Sequence, residues 1–472
     1  MISPTSGPAL RLACRSLPQE RLLLPSVHLF DPAHHVDRIA DLLIEGGTIA
    51  KMGDGMAVPS GVEILNEFRG CWVFPGFVDM HTHLRTPGQE YKEDVVSASR
   101  AAAAGGFVAV VGMANTDPPV DVGPLASWVL DQAAVGSEVL VGQVGAVSHG
   151  VQGEHMAELR ELCEAGVAAL SDDGRPVNNA DLLLQALRYL RGTGRPVLLH
   201  LEDRSLSATG VMHEGRWSAR LGLRGIPTAA ETGPLARDLE IVAYAAREEE
   251  RQTDEGHERS NGGGEGSGRP LVHFQHLSCA ESVGLIRAAK GQGLPISCEV
   301  TPHHLVLTDE AVQSFDQNLK INPPLRCEEA RRALVAALAD GTIDCVGTDH
   351  APHAPHEKEV PFADALFGTV GLETAFAVLY GTLVVPGDLS LDRLIDAMST
   401  TPSRVLGMEA PRLEVGAPAH LCVVDLDEEW TVTTADLMGK CRNSAFLGRR
   451  VQGRVVLTVV AGARRFSRER KE

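Results

Sequence analysis

The chain has 472 residues, 44% hydrophobic and 22% charged, the balance of a soluble globular protein with room for one large domain and a smaller one. Its net charge of −19 argues against nucleic acid and anionic membranes as partners. Its nine cysteines are dispersed without a Cys-x-x-Cys, which reads as reduced thiols in a cytoplasmic protein, and no apolar run reaches the length of a membrane span.

Residues 1–25 carry Arg11, Arg15 and Arg21 without a long apolar core, so they do not read as a secretory signal. An unstructured extension is expected there. A transit peptide is the alternative, because the first acidic residue is Glu20. Residues 26–74 are short, strand-like and broken by Gly-rich turns such as Glu45-Gly46-Gly47. From about Val73 apolar runs alternate with helical stretches. Strands are predicted near 73–83, 107–115, 139–147, 167–173, 197–203, 271–278, 296–303 and 344–350. Amphipathic or Ala-rich segments such as Glu93–Ala104 and Asp181–Arg191 lie between them. Eight β/α units in this order predict an α/β fold, a TIM (β/α)8 barrel over residues 75–404. Residues 248–269 interrupt it. They are acidic and then Gly-rich and cannot bury enough apolar area to order themselves, so a flexible excursion is expected. Residues 405–466 are again strand-like. Two β-rich ends around a barrel predict one small composite β domain formed by both termini.

The chemistry-bearing residues fall at the predicted strand ends. His81-Thr82-His83 follows the apolar run from Cys71 to Met80, and period-two alternation puts both imidazoles on one face. His200 ends Val197-Leu198-Leu199, His276 ends Leu271 to Gln275, and Asp349 ends Asp344 to Thr348. Neutral imidazoles and carboxylates so gathered suit one or two divalent cations, with zinc foremost. Any one of these histidines could merely fill a core; the set is harder to explain that way.

The pattern resembles the amidohydrolase superfamily, in which one or two metals activate water inside a barrel. Two-metal members need a bridging anion on the fourth strand, often a carboxylated lysine. This chain has no lysine between Lys92 and Lys290, so that bridge is excluded. The fourth strand ends in Ser171-Asp172-Asp173-Gly174, and one of these two adjacent aspartates is the candidate, with the other forming a turn.

Longer motifs sharpen the resemblance. Pro75 to Glu90, His200-Leu201-Glu202-Asp203, Thr301-Pro302-His303-His304, Asn322-Pro323-Pro324-Leu325-Arg326 and Thr348 to His353 resemble the long-chain bacterial dihydroorotases that carry an aspartate bridge. The likeness runs from about Ile44 to Gly462. It departs at Ala114, where the family usually has proline, at Cys279, where threonine is common, and at the Gly-rich insert.

The resemblance implies that His81 and His83 hold one metal, His200 and His276 the other, and that Asp173 bridges. It implies that Asp349 ligates and moves the proton between nucleophile and leaving nitrogen. Arg85 and Asn115 would bind the substrate carboxylate, Asn322 and His353 would contact the pyrimidine ring, and Phe367-Gly368 would offer it backbone groups. Independently of the family, Arg85 lies two residues beyond the His-x-His, on the same side, where a guanidinium can meet an anion. His303 and His304 are expected to pack or to orient a ligand.

The implied activity is reversible cyclisation of N-carbamoyl-L-aspartate to (S)-dihydroorotate in pyrimidine biosynthesis. Rival readings are another cyclic amide hydrolase, such as a hydantoinase or allantoinase, and an inactive homologue that scaffolds aspartate carbamoyltransferase. A homodimer is the expected assembly, and association with that carbamoyltransferase is compatible with an active enzyme.

Overall fold

A computed structural model of the chain describes residues 9–56, 59–254 and 269–468. The strands, in chain order, begin with β1 (Leu22–Asp31), β2 (Val36–Glu45), β3 (Thr48–Gly53), β4 (Glu63–Ile64) and β5 (Trp72–Pro75). Next come β6 (Phe77–Thr82), β7 (Phe107–Gly112), β8 (Leu140–Gly145), β9 (Ala169–Ser171) and β10 (Val197–Leu199). A short pair, β11 (Met212–His213) and β12 (Gly225–Ile226), precedes β13 (Val272–Phe274), β14 (Ile296–Val300) and β15 (Cys345–Val346). The chain ends with β16 (Leu421–Thr431), β17 (Arg450–Val460) and β18 (Ala463–Ser467).

One sheet runs β6-β7-β8-β9-β10-β13-β14-β15 with every neighbour parallel. Its strands are buried on both faces, as parallel strands covered by helices should be. All eight predicted strands appear in the predicted order, and the sheet is a nearly closed TIM barrel. The seam between β15 and β6 has little regular ladder. It is held by a parallel bridge between Thr82 and His350 and by the His83 N–H donating to the His350 carbonyl at 2.9 Å. The buried Asp79 adds to it: its carboxylate accepts from the Thr348 N–H at 3.1 Å and from the Thr348 hydroxyl.

The helices between strands follow local signals. The first, Val95–Ala104, is entered through a capping box: Asp94 accepts from the Ser97 N–H at 2.7 Å and Ser97 Oγ accepts from the Asp94 N–H. That cap sets its start two residues inside the predicted Glu93–Ala104 segment. Its alanines Ala98, Ala101, Ala102 and Ala103 are buried against the barrel.

The second sheet has the order β18-β17-β16-β5-β1-β2-β3, with β4 beside β1. Both ends of the chain contribute to it, and its own core includes Leu22, Leu24, Leu29, Leu42, Ile44, Val73, Leu421, Val423 and Val459.

The structure corrects three expectations. The run 73–83 is two strands, not one: β5 joins the second sheet and β6 the barrel, with Gly76 between them. A Cβ on Gly76 would lie 2.2 Å from the Val108 side chain, so only glycine lets the chain cross there. Residues 9–21 are paired rather than unstructured. The Arg11 N–H reaches the Gly166 carbonyl, Ala13 and Val141 exchange backbone hydrogen bonds, and Arg15 pairs with Glu138 at 2.6 Å. Burying backbone groups requires partners, and this segment supplies them where β8 begins. In the segment 248–269, the helix Ala229–Asp254 continues past residue 248; residues 255–268 lie outside the described residues.

Candidate active site

Barrel closure assembles the site. His81 and His83 come from the end of β6, and Asp173, His200, His276 and Asp349 follow β9, β10, β13 and β15. All six side chains are buried. Asp173 is their centre. Its carboxylate lies 3.6 Å from His81 Nε2, 3.4 Å from His83 Nε2, 3.6 Å from His200 Nδ1 and 3.8 Å from His276 Nε2. Asp349 Oδ1 lies 3.0 Å from His83 Nε2 and 3.6 Å from His81 Nε2.

This donor set fits divalent cations. Ligand atoms about 2.1 Å from a tetrahedral zinc stand about 3.4 Å from one another. The atoms of His81, His83 and Asp349 lie within 4.8 Å of one another, as do those of His81, Asp173 and His276. Electrostatics agree. Burial alone would raise the Asp173 pKa, but the neighbouring imidazoles of His276 and His81 hold it well below the usual carboxylate range. Burial also works against a charged His81, yet the carboxylates of Glu299 and Asp173 push its pKa well up. The pocket therefore favours positive charge among the imidazoles, supplied by protons or by metal.

Three of the four imidazoles are backed by a neighbour. His81 Nδ1 lies 2.5 Å from Glu299 Oε1, and His200 Nε2 lies 3.4 Å from Glu202 Oε2. Burial would raise Glu202, but its hydrogen bond with His200 and that imidazole's charge bring it down to about 2. Asn115 sits between His83 and Asp173. Its Oδ1 lies 3.0 Å from His83 Nδ1, and its Nδ2 donates to the Asp173 carbonyl at 3.1 Å and carboxylate at 3.3 Å. Asp172 turns the other way. It accepts from the N–H groups of Val147 and Ser148 at 2.8 and 3.0 Å and from the Ser148 hydroxyl, anchoring a neighbouring loop. Carboxylate Asp173 thus faces the histidines and Asp172 does not.

Arg85 is partly buried beside the cluster, with Nε donating to the Pro352 carbonyl at 3.2 Å. His353 Nε2 donates to the Phe367 carbonyl at 2.8 Å. The Gly368 N–H donates to the Lys320 carbonyl, and the Gly368 carbonyl accepts from Lys358 Nζ at 2.9 Å and Asn443 Nδ2 at 3.3 Å. The backbone of Phe367-Gly368 is therefore tied into the protein at several of its polar atoms. The Asn322 side chain lies near Glu202 and helps to hold its pKa down, which places the Asn-Pro-Pro loop beside His200. His304 Nε2 donates to the Pro323 carbonyl at 2.9 Å and supports the same loop, whereas His303 Nε2 is buried without a partner.

Sequence reasoning missed the backing carboxylates. Glu202 stands two residues after His200, the same one-face spacing as His81 and His83. Glu299 is the single charged residue in the apolar strand Ile296–Val300, a lone carboxylate in a barrel interior. Nor does any pattern announce that Arg85, His276 and Asp349 take positive φ values of 60°, 32° and 48°, backbone strain gathered at one place.

The amidohydrolase family model matches residues 72–464. A dihydroorotase of Citrifermentans bemidjiense is 43% identical over 441 residues, covering 93% of this chain and 98% of that protein. A dihydroorotase of Anaeromyxobacter dehalogenans is 44% identical over 443 residues, with 93% and 96% covered. Among solved structures, an L-hydantoinase (dihydropyrimidinase) from Arthrobacter aurescens superposes with a TM-score of 0.80 at 23% identity, covering 96% of this chain and 97% of that one. That likeness speaks to the fold.

Proposed function

The chain belongs to the amidohydrolase family and, within it, to the dihydroorotases, and on that premise we propose how its own residues interconvert N-carbamoyl-L-aspartate and (S)-dihydroorotate. The observation that carries the reading is the Asp173 carboxylate lying within 3.8 Å of a nitrogen of each of four histidines. His81, His83 and Asp349 would hold one divalent cation and His200 and His276 a second, with Asp173 shared. Zinc, two per chain, is the ion that four imidazoles and two carboxylates suit. When bound, such a metal polarises a carbonyl and acidifies water.

The remaining work falls to side chains. Arg85 pairs with the substrate α-carboxylate, and Asn115, next to Asp173, orients it. Asn322, His353 and the Phe367-Gly368 segment line the ring. In ring closure a bond forms between the ureido nitrogen and the side-chain carboxyl carbon, and a carbon–oxygen bond breaks. Asp349 accepts the proton lost by that nitrogen and passes it to the departing oxygen, which leaves as water with a second proton from solvent. Burial would raise Asp349, but its bond to His83 and the charges of His81 and His83 keep it ionised and ready to accept.

The hydantoinase alternative is disfavoured by the missing lysine and by the partly buried Arg85 beside the cluster, which a substrate without a carboxylate does not need. No helix among the described residues is long and apolar enough to cross a membrane. Cytoplasmic placement, a homodimer and association with aspartate carbamoyltransferase complete the proposal; size-exclusion chromatography with and without that partner tests the last two. The decisive experiment assays dihydroorotate and hydantoin side by side, with elemental analysis of protein purified without chelator. Turnover of dihydroorotate with about two zinc per chain is expected. Preference for hydantoin, or full activity without metal, would overturn the proposal.

A further inference from the structure

The barrel interior beneath the metal centre holds a chain of polar groups that the reaction does not use. Glu299 on β14 is fully buried. Its Oε1 lies 2.5 Å from His81 Nδ1, and its Oε2 faces Nε2 of His273, itself fully buried on β13, at 3.3 Å, an ion-pair distance without hydrogen-bond alignment. His273 Nδ1 in turn meets Ser297 Oγ at 2.7 Å. Glu299 and His81 are 218 positions apart, so only barrel closure joins them. Room for the carboxylate comes from Gly347: a Cβ there would lie 2.4 Å from Glu299 Oε2.

The geometry assigns Glu299 as a positioning residue: through a His81–Glu299–His273 relay it fixes which nitrogen His81 offers and how firmly the first half-site holds its metal. This rests on the metal reading above. An ionised carboxylate can only accept, so His81 Nδ1 must donate to it and Nε2 must present its lone pair toward Asp173 and Asp349. Gln275 offers no competing arrangement. Its Nε2 lies 3.2 and 3.4 Å from the two ring nitrogens of His81, nearly equidistant, so it lies across the ring rather than on either lone pair. With its Oε1 2.5 Å from His81 Nδ1, the Glu299 carboxylate is the acceptor this tautomer needs. His273 matters because a carboxylate buried in the core needs a second partner.

The test compares wild type, Glu299→Gln and Gly347→Ala, with Glu202→Gln as the control on the other half-site. Chelator competition measures zinc affinity, and the visible spectrum of the cobalt-substituted protein reads coordination directly. Glu299→Gln should weaken one of the two metals by about 10- to 100-fold, alter the cobalt spectrum and regain much of its turnover in excess zinc. Gly347→Ala, which displaces the carboxylate without touching a ligand, should shift affinity in the same direction and keeps the test open if Glu299→Gln fails to fold. Unchanged metal affinity and cobalt spectrum in a folded variant, with only thermal stability lowered, would reduce Glu299 and His273 to a buried ion pair and sink the relay. A third metal in the wild type, lost in Cys345→Ala, would also sink it, because the atoms of His273, Glu299 and Cys345 lie within 4.8 Å and a cation there would occupy the carboxylate. If wild type binds no metal at all, the metal reading itself fails, a different outcome from either.

Discussion

The two histidine pairs of the site are built differently. His81 and His83 are two residues apart on one strand end, so local backbone geometry alone puts them side by side. Behind His81 stands Glu299, in the closed core. His200 and His276 come from two strands and are 76 positions apart, yet His200 Nδ1 and His276 Nε2 lie 2.8 Å from each other. Behind His200 stands Glu202, partly open to the mouth, and His276 Nδ1 is buried without a partner. One pair is written into a tripeptide; the other exists only because β10 and β13 are neighbours. A site so made should tolerate changes in the connections between strands and should fail where the two pairs meet.

They meet at Asp173, so the largest effect is expected there. Asp173→Ala should lose metal from both half-sites and turnover with it. Asp172→Ala should instead loosen the loop at Val147 and Ser148, lowering thermal stability while metal stays bound. Metal analysis and thermal melts of both variants decide it; the reverse assignment would show that the other aspartate is shared. Apo-protein should also regain activity without bicarbonate, since the fourth strand carries no lysine for carboxylation.

The same contrast explains what could be read in advance. Each barrel strand is a short apolar run ended by a polar residue, and that pattern survives without tertiary information. The His-x-His pair, His200, His276 and Asp349 stood at those ends. The choice of Asp173 over Asp172 came from family likeness, because adjacent carboxylates look equivalent until a strand direction is known. Glu299 escaped notice because its partner is 218 residues away, across a seam that no local pattern describes. The break at Gly76 was missed because Val73–Val78 is uniformly apolar, and only the close approach of Val108 forces the crossing.

Arg85 stands beside the first pair without being a ligand, so it separates substrate recognition from metal holding. Removing a charge-assisted pair in a secluded site costs about 2–5 kcal/mol, and about 1.4 kcal/mol is tenfold. Arg85→Met should therefore cut kcat/KM for dihydroorotate by roughly two to three orders of magnitude, with both metals retained. Turnover of an uncharged cyclic amide, measured alongside, should change far less. Equal losses on both substrates would mean that Arg85 does not read the carboxylate.

Glu202 tests whether the second pair depends on its backing as the first does. It stands farther from its histidine than Glu299 does and is less enclosed, 3.4 Å against 2.5 Å. Glu202→Gln should weaken zinc binding by about tenfold, the low end of what such backing residues contribute. Because Asn322 leans on the same carboxylate, KM should rise as well. A loss of metal larger than that of Glu299→Gln would invert the ranking of the two half-sites.

The smallest effect is expected from the longest alteration. Residues 253–268 lie in the connection between His200 and His276, so shortening it asks whether topology alone holds the second pair. Both flanks are anchored independently. Glu248 is held by Arg188 at 2.8 Å and Arg191 at 2.7 Å, and Arg269 donates to the Gly407 carbonyl at 3.3 Å. His276 is placed by the pairing of β13 with β10 and β14, which starts after those anchors. Halving a loop changes its closure free energy by only about 0.6 kcal/mol. Replacing residues 253–268 with a short Gly-Ser linker should therefore leave kcat/KM within about twofold of wild type and leave zinc content unchanged. Loss of one metal in a folded deletion variant would show that the connection, and not the barrel, positions His276. Intact metal with a large fall in turnover would assign the segment to the substrate side of the site instead.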